Sequence, residues 1–322
     1  MLPANGKQSE SSLSRHGKPG DSAAWLQAAR PAALPMILLP LLLGQGFALD
    51  TGATLSWPLS VLAVSFAALF QAYLLYTNDA ADAQIDQTNG QYWLSGGSRV
   101  VPEGKLSNLQ LQRGADVALV MLWLICGYLA VFADRPWMLA ALVASVALSW
   151  SYHRPPLRLS YRGHGEVVQG LGCGALLPLV GFYLQRGDLT DFPWLSLITL
   201  YGFFHAGHII TALPDYASDL VGGKRTIPVR HGQKTARIGA MVLLTIVYAS
   251  LWLAQATLGW PSIAIIGAPS LLILVGVRLS GLLYDSDVSR FAKCRQFVTW
   301  LTISQAWFLF AWTFAVYAGG MR

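Results

Sequence analysis

The chain contains nine apolar runs long enough to cross a bilayer, near residues 32–49, 57–76, 116–132, 136–152, 166–184, 192–213, 238–257, 262–280 and 298–318. A helix needs roughly 17 to 25 mostly apolar residues to span the hydrocarbon layer. Backbone polar groups at that depth are satisfied only within helices or closed barrels. The expected fold is therefore an all-α integral membrane bundle with nine transmembrane helices. Composition removes the soluble alternative: 54% of the residues are hydrophobic and 12% charged, against about 25% charged in a soluble domain.

Basic residues give the expected orientation. Of 22 Lys and Arg, 19 fall before the first run or in alternate loops, leaving Arg135, Arg186 and Arg322 on the other side. By the positive-inside rule the N-terminus and the basic loops are cytoplasmic and the C-terminus lies outside a cell (inner) membrane. The net charge of +6 reads as topology and contact with anionic lipid. Its division among five separate segments excludes a nucleic-acid partner. Cys126, Cys173 and Cys294 lie far apart and offer neither a disulfide framework nor a metal spacing. Residues 1–24 are polar and are expected to form a disordered cytoplasmic tail. Residues 25–322 then form one membrane domain, with 32–49 a retained first helix.

Two loops on the cytoplasmic side are long, 77–115 and 214–237, and both carry acids. Long loops in a compact protein are usually functional or disordered. On a helix, Asp79, Asp82 and Asp86 lie on one face at i, i+3 and i+7, with Asn78 beside them as a neutral oxygen donor. Like charges at such spacings repel, and a hard divalent cation such as Mg2+, completed by substrate phosphates, would offset that repulsion. The second cluster places Asp215 and Asp219 at i,i+4 after Pro214, which weakens the sixth helix. Gly222 and Gly223 then let the chain turn so that Lys224 and Arg225 can fold back. Two acidic faces with a Lys-Arg pair suit a diphosphate bridged by metal ions. A solvated helix end would account for one such cluster, but matched clusters after the second and sixth runs argue for chemistry and suggest an internal duplication. The spacing D-x-x-D-x-x-x-D lacks the alternating ligands and central glycine of an EF-hand.

Other polar residues read less sharply. Arg99, in SGGSRVVPEG, sits in a glycine-flanked loop that could close over a diphosphate. His205 and His208 have the i,i+3 spacing of a zinc pair but lack further ligands. His208 shares a helical face with Thr211 and Asp215, which points it into the same polar cavity. Arg154 suits either a carboxylate on an aromatic substrate or the positive-inside pattern.

These residues resemble the UbiA superfamily of intramembrane aromatic prenyltransferases. Its first signature, N-D-x-x-D-x-x-x-D, is whole from Asn78 to Asp86, and its second is present as Asp215 to Asp219 followed by Gly223-Lys224-Arg225-Thr226-Ile227-Pro228-Val229-Arg230. Two further segments match, Ala29 to Pro35 and Ser151 to Leu159. The resemblance runs from about residue 29 to the C-terminus and is greatest to the dihydroxynaphthoate (menaquinone-pathway) branch, although Thr211 stands where many relatives carry Asn. It implies a nine-helix bundle, Mg2+ as cofactor, and transfer of a prenyl group from a polyprenyl diphosphate to an aromatic acceptor. Asp79, Asp82, Asp86, Asp215 and Asp219 would hold the metal. Asn78, Lys224, Arg225, Arg30 and Arg99 would bind diphosphate, and Asp79, Asp82, Asp215, Asp219 and Lys224 would be the catalytic residues. Arg154, Tyr152 and His208 would meet the acceptor. Other acceptors of the superfamily are 4-hydroxybenzoate, homogentisate, haem, chlorophyllide and lipids. An ion-coupled transporter would instead place its acids at mid-span, whereas these stand at span ends.

Overall fold

The computed structural model describes residues 21–83, 97–251, 255–283 and 291–320. Among them all regular secondary structure is helical, with no strand. In chain order the α-helices are α1 (Ser22–Ala29), α2 (Pro35–Asp50), α3 (Trp57–Asp82), α4 (Asn108–Phe132), α5 (Trp137–His153), α6 (Gly165–Leu171) and α7 (Leu177–Arg186). They continue with α8 (Leu195–Ala212), α9 (Tyr216–Gly222), α10 (Ile227–His231), α11 (Gln233–Ser250), α12 (Gln255–Leu279) and α13 (Phe291–Gly320). A π-helical segment, Gly172–Leu176, joins α6 to α7 in one apolar stretch. Helix begins at Ser22, inside the stretch expected to be a tail, and residues 1–20 lie outside the described residues.

Where their residues are described, the nine apolar runs fall mostly on helix, but among the described residues fewer helices meet the length and polarity that a crossing requires. Six are long and apolar enough, and up to seven if the bent pair of α1 and α2 counts as one span. The shortfall has simple causes. Helix α5 has 17 residues, about 26 Å at 1.5 Å per residue, against a hydrocarbon core of about 30 Å. The first turns of α11 carry Lys234 and Arg237, so its apolar part is shorter than its helix.

With no hydrophobic drive between helices in lipid, close packing through small residues holds such bundles together. Helices α2 and α7 meet at Gly44 and Gly181. A β-carbon on Gly44 would stand 2.0 Å from the carbonyl oxygen of Pro178, and one on Gly181 1.9 Å from that of Leu41. Gly174 in the π segment approaches the backbone of α8 in the same way, 2.5 Å from the Leu200 oxygen. The main core runs through α2, α3, α4, α7, α8, α11 and α13, with Leu41, Phe66, Leu122, Phe182, Phe204 and Phe308 among its fully buried members. A second, small core joins Ala24 and Ala28 of α1 to Val100, Leu106 and Leu111. Trp25 closes it edge-on against Tyr76, their centroids 5.4 Å apart.

Polar contacts mark the two ends of the bundle. At one end Arg186 donates to the Thr51 hydroxyl at 2.8 Å and Arg135 to the Leu184 carbonyl at 2.8 Å, so both basic residues assigned outside cap helix C-termini there. The aspartate motifs gather at the other end. Gly181→Ala should destabilise the protein by at least about 1–3 kcal/mol through overpacking. Thermal unfolding in detergent checks this, and an unchanged melting temperature would contradict the α2–α7 contact.

Candidate active site

Helix α3 carries its apolar stretch to the mouth of the bundle and ends on Asp79 and Asp82. Both side chains are buried, 3% and 4% exposed. This is a hard place for two acids: they repel each other, and the helix C-terminus adds its own partial negative charge. Two cations from distant segments answer them. The Arg30 guanidinium pairs with Asp79 Oδ1, and the Lys224 ammonium stands 2.7 Å from Asp82 Oδ2. The backbone N–H of Ser98 also approaches Asp79 Oδ1, at 3.4 Å. The second oxygens, Asp79 Oδ2 and Asp82 Oδ1, are buried without a hydrogen-bond partner among the described residues.

The second motif is assembled by a change of direction. Helix α8 stops at Ala212, and Asp215 becomes the N-cap of the short α9. Asp219, in the first turn of α9, is buried. Gly223 then takes a left-handed conformation, φ 75°, which glycine adopts without steric cost. That turn sends the Lys224 N–H back to the Asp219 carbonyl at 2.9 Å and its ammonium to 4.0 Å from Asp219 Oδ1. Lys224 thus stands between Asp82 of the first motif and Asp219 of the second. The Thr226 hydroxyl donates to Asp219 Oδ2 at 3.2 Å. Burial pushes the Asp219 carboxyl up to about 6, with Lys224 and Thr226 pulling the other way. Burial also works against the Lys224 charge, but Asp82, Tyr152 and Asp219 outweigh it and hold the ammonium above the ordinary lysine range.

The loop after Lys224 is fastened to the segment that follows α5. Glu166, only 1% exposed, accepts the Ile227 N–H at 2.7 Å. Arg225 donates its backbone N–H to the Ser160 carbonyl at 3.2 Å, and the Arg230 guanidinium reaches the Gly163 carbonyl at 3.0 Å. Beside this joint the Tyr152 hydroxyl and His208 Nε2 lie 3.0 Å apart, and the Ser160 hydroxyl donates to the Tyr152 carbonyl at 2.7 Å. Gly165 makes room for the pair, since a β-carbon there would meet the Tyr152 ring at 3.2 Å and His208 Nε2 at 3.5 Å.

Of the residues singled out in the sequence, Asp79, Asp82, Asp219, Lys224 and Arg30 come together. Asn78 is half-buried on α3 beside them, and Asp215 is half-buried at the start of α9. Arg99 follows Ser98 in a left-handed conformation, φ 64°, its Nε 3.8 Å from Glu103. Arg154 and Arg225 have exposed side chains, so Arg225 does not fold back onto the acids with Lys224. Asp86 lies outside the described residues. No group of three or more acidic, His or Cys side chains among the described residues forms a metal site unaided.

Several structural partners were not singled out beforehand. Ser98 has no sequence signal. Glu166 did have one, as an acid opening an otherwise apolar run. Gln27 of α1 reaches the Ser98 carbonyl at 2.7 Å and accepts from Lys105 at 2.8 Å, tying α1 to the 97–106 loop.

A helical membrane bundle with two opposed aspartate motifs joined by a lysine at one mouth has the architecture of an intramembrane prenyltransferase. The chain belongs to the UbiA prenyltransferase family, whose model matches residues 37–303. It is 24% identical to a 1,4-dihydroxy-2-naphthoate octaprenyltransferase of Mycobacterium tuberculosis, over 80% of this chain and 87% of that protein. It is 26% identical to a 2-carboxy-1,4-naphthoquinone phytyltransferase of Synechocystis, over 74% of each. Its fold is similar to that of a UbiA homolog from Archaeoglobus fulgidus bound to GPP and Mg2+, with a TM-score of 0.66, 20% identity, and 92% of this chain and 99% of that one covered.

The Glu166 joint gives a local test. Glu166→Gln keeps an acceptor for the Ile227 N–H and should be nearly neutral. Glu166→Ala strands that buried donor and should cost about 1–3 kcal/mol, read as a lower melting temperature in detergent. Equal stability of the two variants would contradict the joint.

Proposed function

We propose that the chain transfers a polyprenyl group from a polyprenyl diphosphate to 1,4-dihydroxy-2-naphthoate, in menaquinone biosynthesis, with Mg2+ as cofactor. The observation that carries the reading is Lys224, set between Asp82 and Asp219, because it makes one charged site of two motifs 137 residues apart in sequence (219 minus 82). The naphthoate relatives support the acceptor class, and the GPP- and Mg2+-bound homolog supports the donor and the metal.

The residues suit the metal. Asp79, Asp82 and Asp219 offer carboxylate oxygens, and two of these, Asp79 Oδ2 and Asp82 Oδ1, are buried with no partner among the described residues. Hard oxygen ligands completed by substrate phosphates are the ordinary environment of Mg2+. Asp79, Asp82, Asp215 and Asp219 would hold it, together with Asp86. When bound it would neutralise the diphosphate and so favour its departure.

The chain's own residues do the remaining work. Lys224 and Arg30 are cations that can exchange a carboxylate for diphosphate oxygens and so stabilise charge on the leaving group. Asn78 and Arg99 complete the diphosphate's surroundings from α3 and the loop after it, and Arg225, exposed beside Lys224, would join them only by turning inward when the diphosphate binds. The apolar bundle beneath holds the prenyl tail and excludes water, which would otherwise capture the allylic cation. Tyr152 and His208 face the acceptor ring, and Arg154 its carboxylate. In the membrane the reading is a nine-pass protein, N-terminus and charged loops cytoplasmic and C-terminus outside.

A second acceptor remains the competing enzyme reading, and a transporter is disfavoured because the acids stand at helix ends. Lys224→Ala and Asp82→Asn should each reduce Mg2+-dependent turnover by at least about a hundredfold, the scale of a lost electrostatic stabiliser, with the protein still folded in detergent. The product mass, from a panel of acceptors with prenyl diphosphates of different lengths, identifies both substrates. Transfer to 4-hydroxybenzoate and none to the naphthoate would overturn the acceptor assignment. Unchanged turnover in Lys224→Ala would overturn the site.

A further inference from the structure

We propose that Gln71 is the positioning residue for Arg30, holding its backbone so that the guanidinium is delivered to the diphosphate; this rests on Arg30 being a diphosphate ligand. Gln71 lies in the middle of the apolar stretch of α3 and is buried. Its Nε2 donates to two consecutive carbonyls, Ala29 and Arg30, each at 2.9 Å. A flipped amide would set its oxygen against both carbonyl oxygens, so the contacts also fix which way the amide faces.

Those two carbonyls stand where α1 ends, a few residues before the chain bends by 51° into α2 at Leu34. The last carbonyls of a helix have no partner within it. Arg30 itself is left-handed, φ 42° and ψ 67°, a conformation disfavoured for a residue with a β-carbon and kept only where its surroundings determine it. The Arg30 carbonyl already accepts the Ala33 N–H at 2.8 Å, and Gln71 adds a side-chain donor to it and to the Ala29 carbonyl before it, fixing the two consecutive peptides around the left-handed residue.

Asp79 is eight residues further along the same helix, about 12 Å at 1.5 Å per residue. Helix α3 therefore holds Arg30 at both ends, its carbonyl through Gln71 and its guanidinium through Asp79. The two attachments differ in kind. The guanidinium can leave Asp79 for an arriving diphosphate while the Gln71 contacts keep the backbone in place, so the ordering of Arg30 is not charged against binding. An interhelical tie without this role would stabilise the fold and leave substrate affinity alone, which separates the two experimentally.

The full-length protein in detergent is titrated with farnesyl thiodiphosphate, which binds without reacting, in the presence of Mg2+. Steady-state constants are measured with farnesyl diphosphate and the naphthoate acceptor. Gln71→Met keeps the length and removes the donors. It should raise Kd for the thiodiphosphate and KM for farnesyl diphosphate about tenfold, the equivalent of about 1.4 kcal/mol, and leave the acceptor KM unchanged. Arg30→Gln should have an effect at least as large, and the double variant should be no worse than Arg30→Gln alone. Gln71→Asn, shorter by one methylene, should give an intermediate rise and serves if the methionine variant does not fold. A lower melting temperature with unchanged diphosphate affinity, or losses that multiply in the double variant, would overturn the positioning role. A wild-type protein that does not bind the thiodiphosphate would overturn the diphosphate site itself, and this inference with it.

Discussion

The site depends on one electrostatic constraint: three carboxylates, Asp79, Asp82 and Asp219, are buried at the mouth of an apolar bundle. Buried charge is tolerated only when paired and hydrogen-bonded, and here the pairing comes from far along the chain. Arg30 answers Asp79 from the α1–α2 bend, and Lys224 answers Asp82 from the turn after α9. The chain around them follows from that demand. Gly223 supplies the left-handed turn, Glu166 fixes the loop after it, Gln71 holds the end of α1 against α3, and Gln27 ties α1 to the 97–106 loop.

The same arrangement makes sense of the chemistry. A half-buried ammonium and guanidinium already facing buried carboxylates are strong electrostatic groups, because interactions at a partly desolvated site count for more than at an open surface. An arriving diphosphate brings its own negative oxygens, and the cations have somewhere to go. The two carboxylate oxygens on α3 that have no partner among the described residues are the counterpart of that exchange, because a cation reaching them would offset their desolvation.

Much of this was legible in the residues. Both aspartate motifs, the lysine after Gly223 and the apolar runs could be read directly, because charge in an apolar chain is conspicuous and helical spacing is regular. The number of crossings was less so. The runs fall mostly on helix where they are described, but α5 is short and α11 begins with charge, so six or seven helices among the described residues meet the requirements of a span. The supporting contacts were harder still. Ser98 reaches Asp79 from a loop whose path local sequence does not fix, and Gln71 meets two carbonyls at the end of α1 that only tertiary packing brings to α3. Arg225, adjacent to Lys224, looked like its partner, but only Lys224 turns inward after Gly223.

The central claim is that Lys224 makes the two aspartate motifs a single site. A double-mutant cycle between Asp82→Asn and Lys224→Met, read as Kd for farnesyl thiodiphosphate with Mg2+ present, tests it most directly. The account predicts strong non-additivity, a coupling toward the upper part of the roughly 0.5–3 kcal/mol found for contacting residues. Independent losses that simply multiply would contradict it.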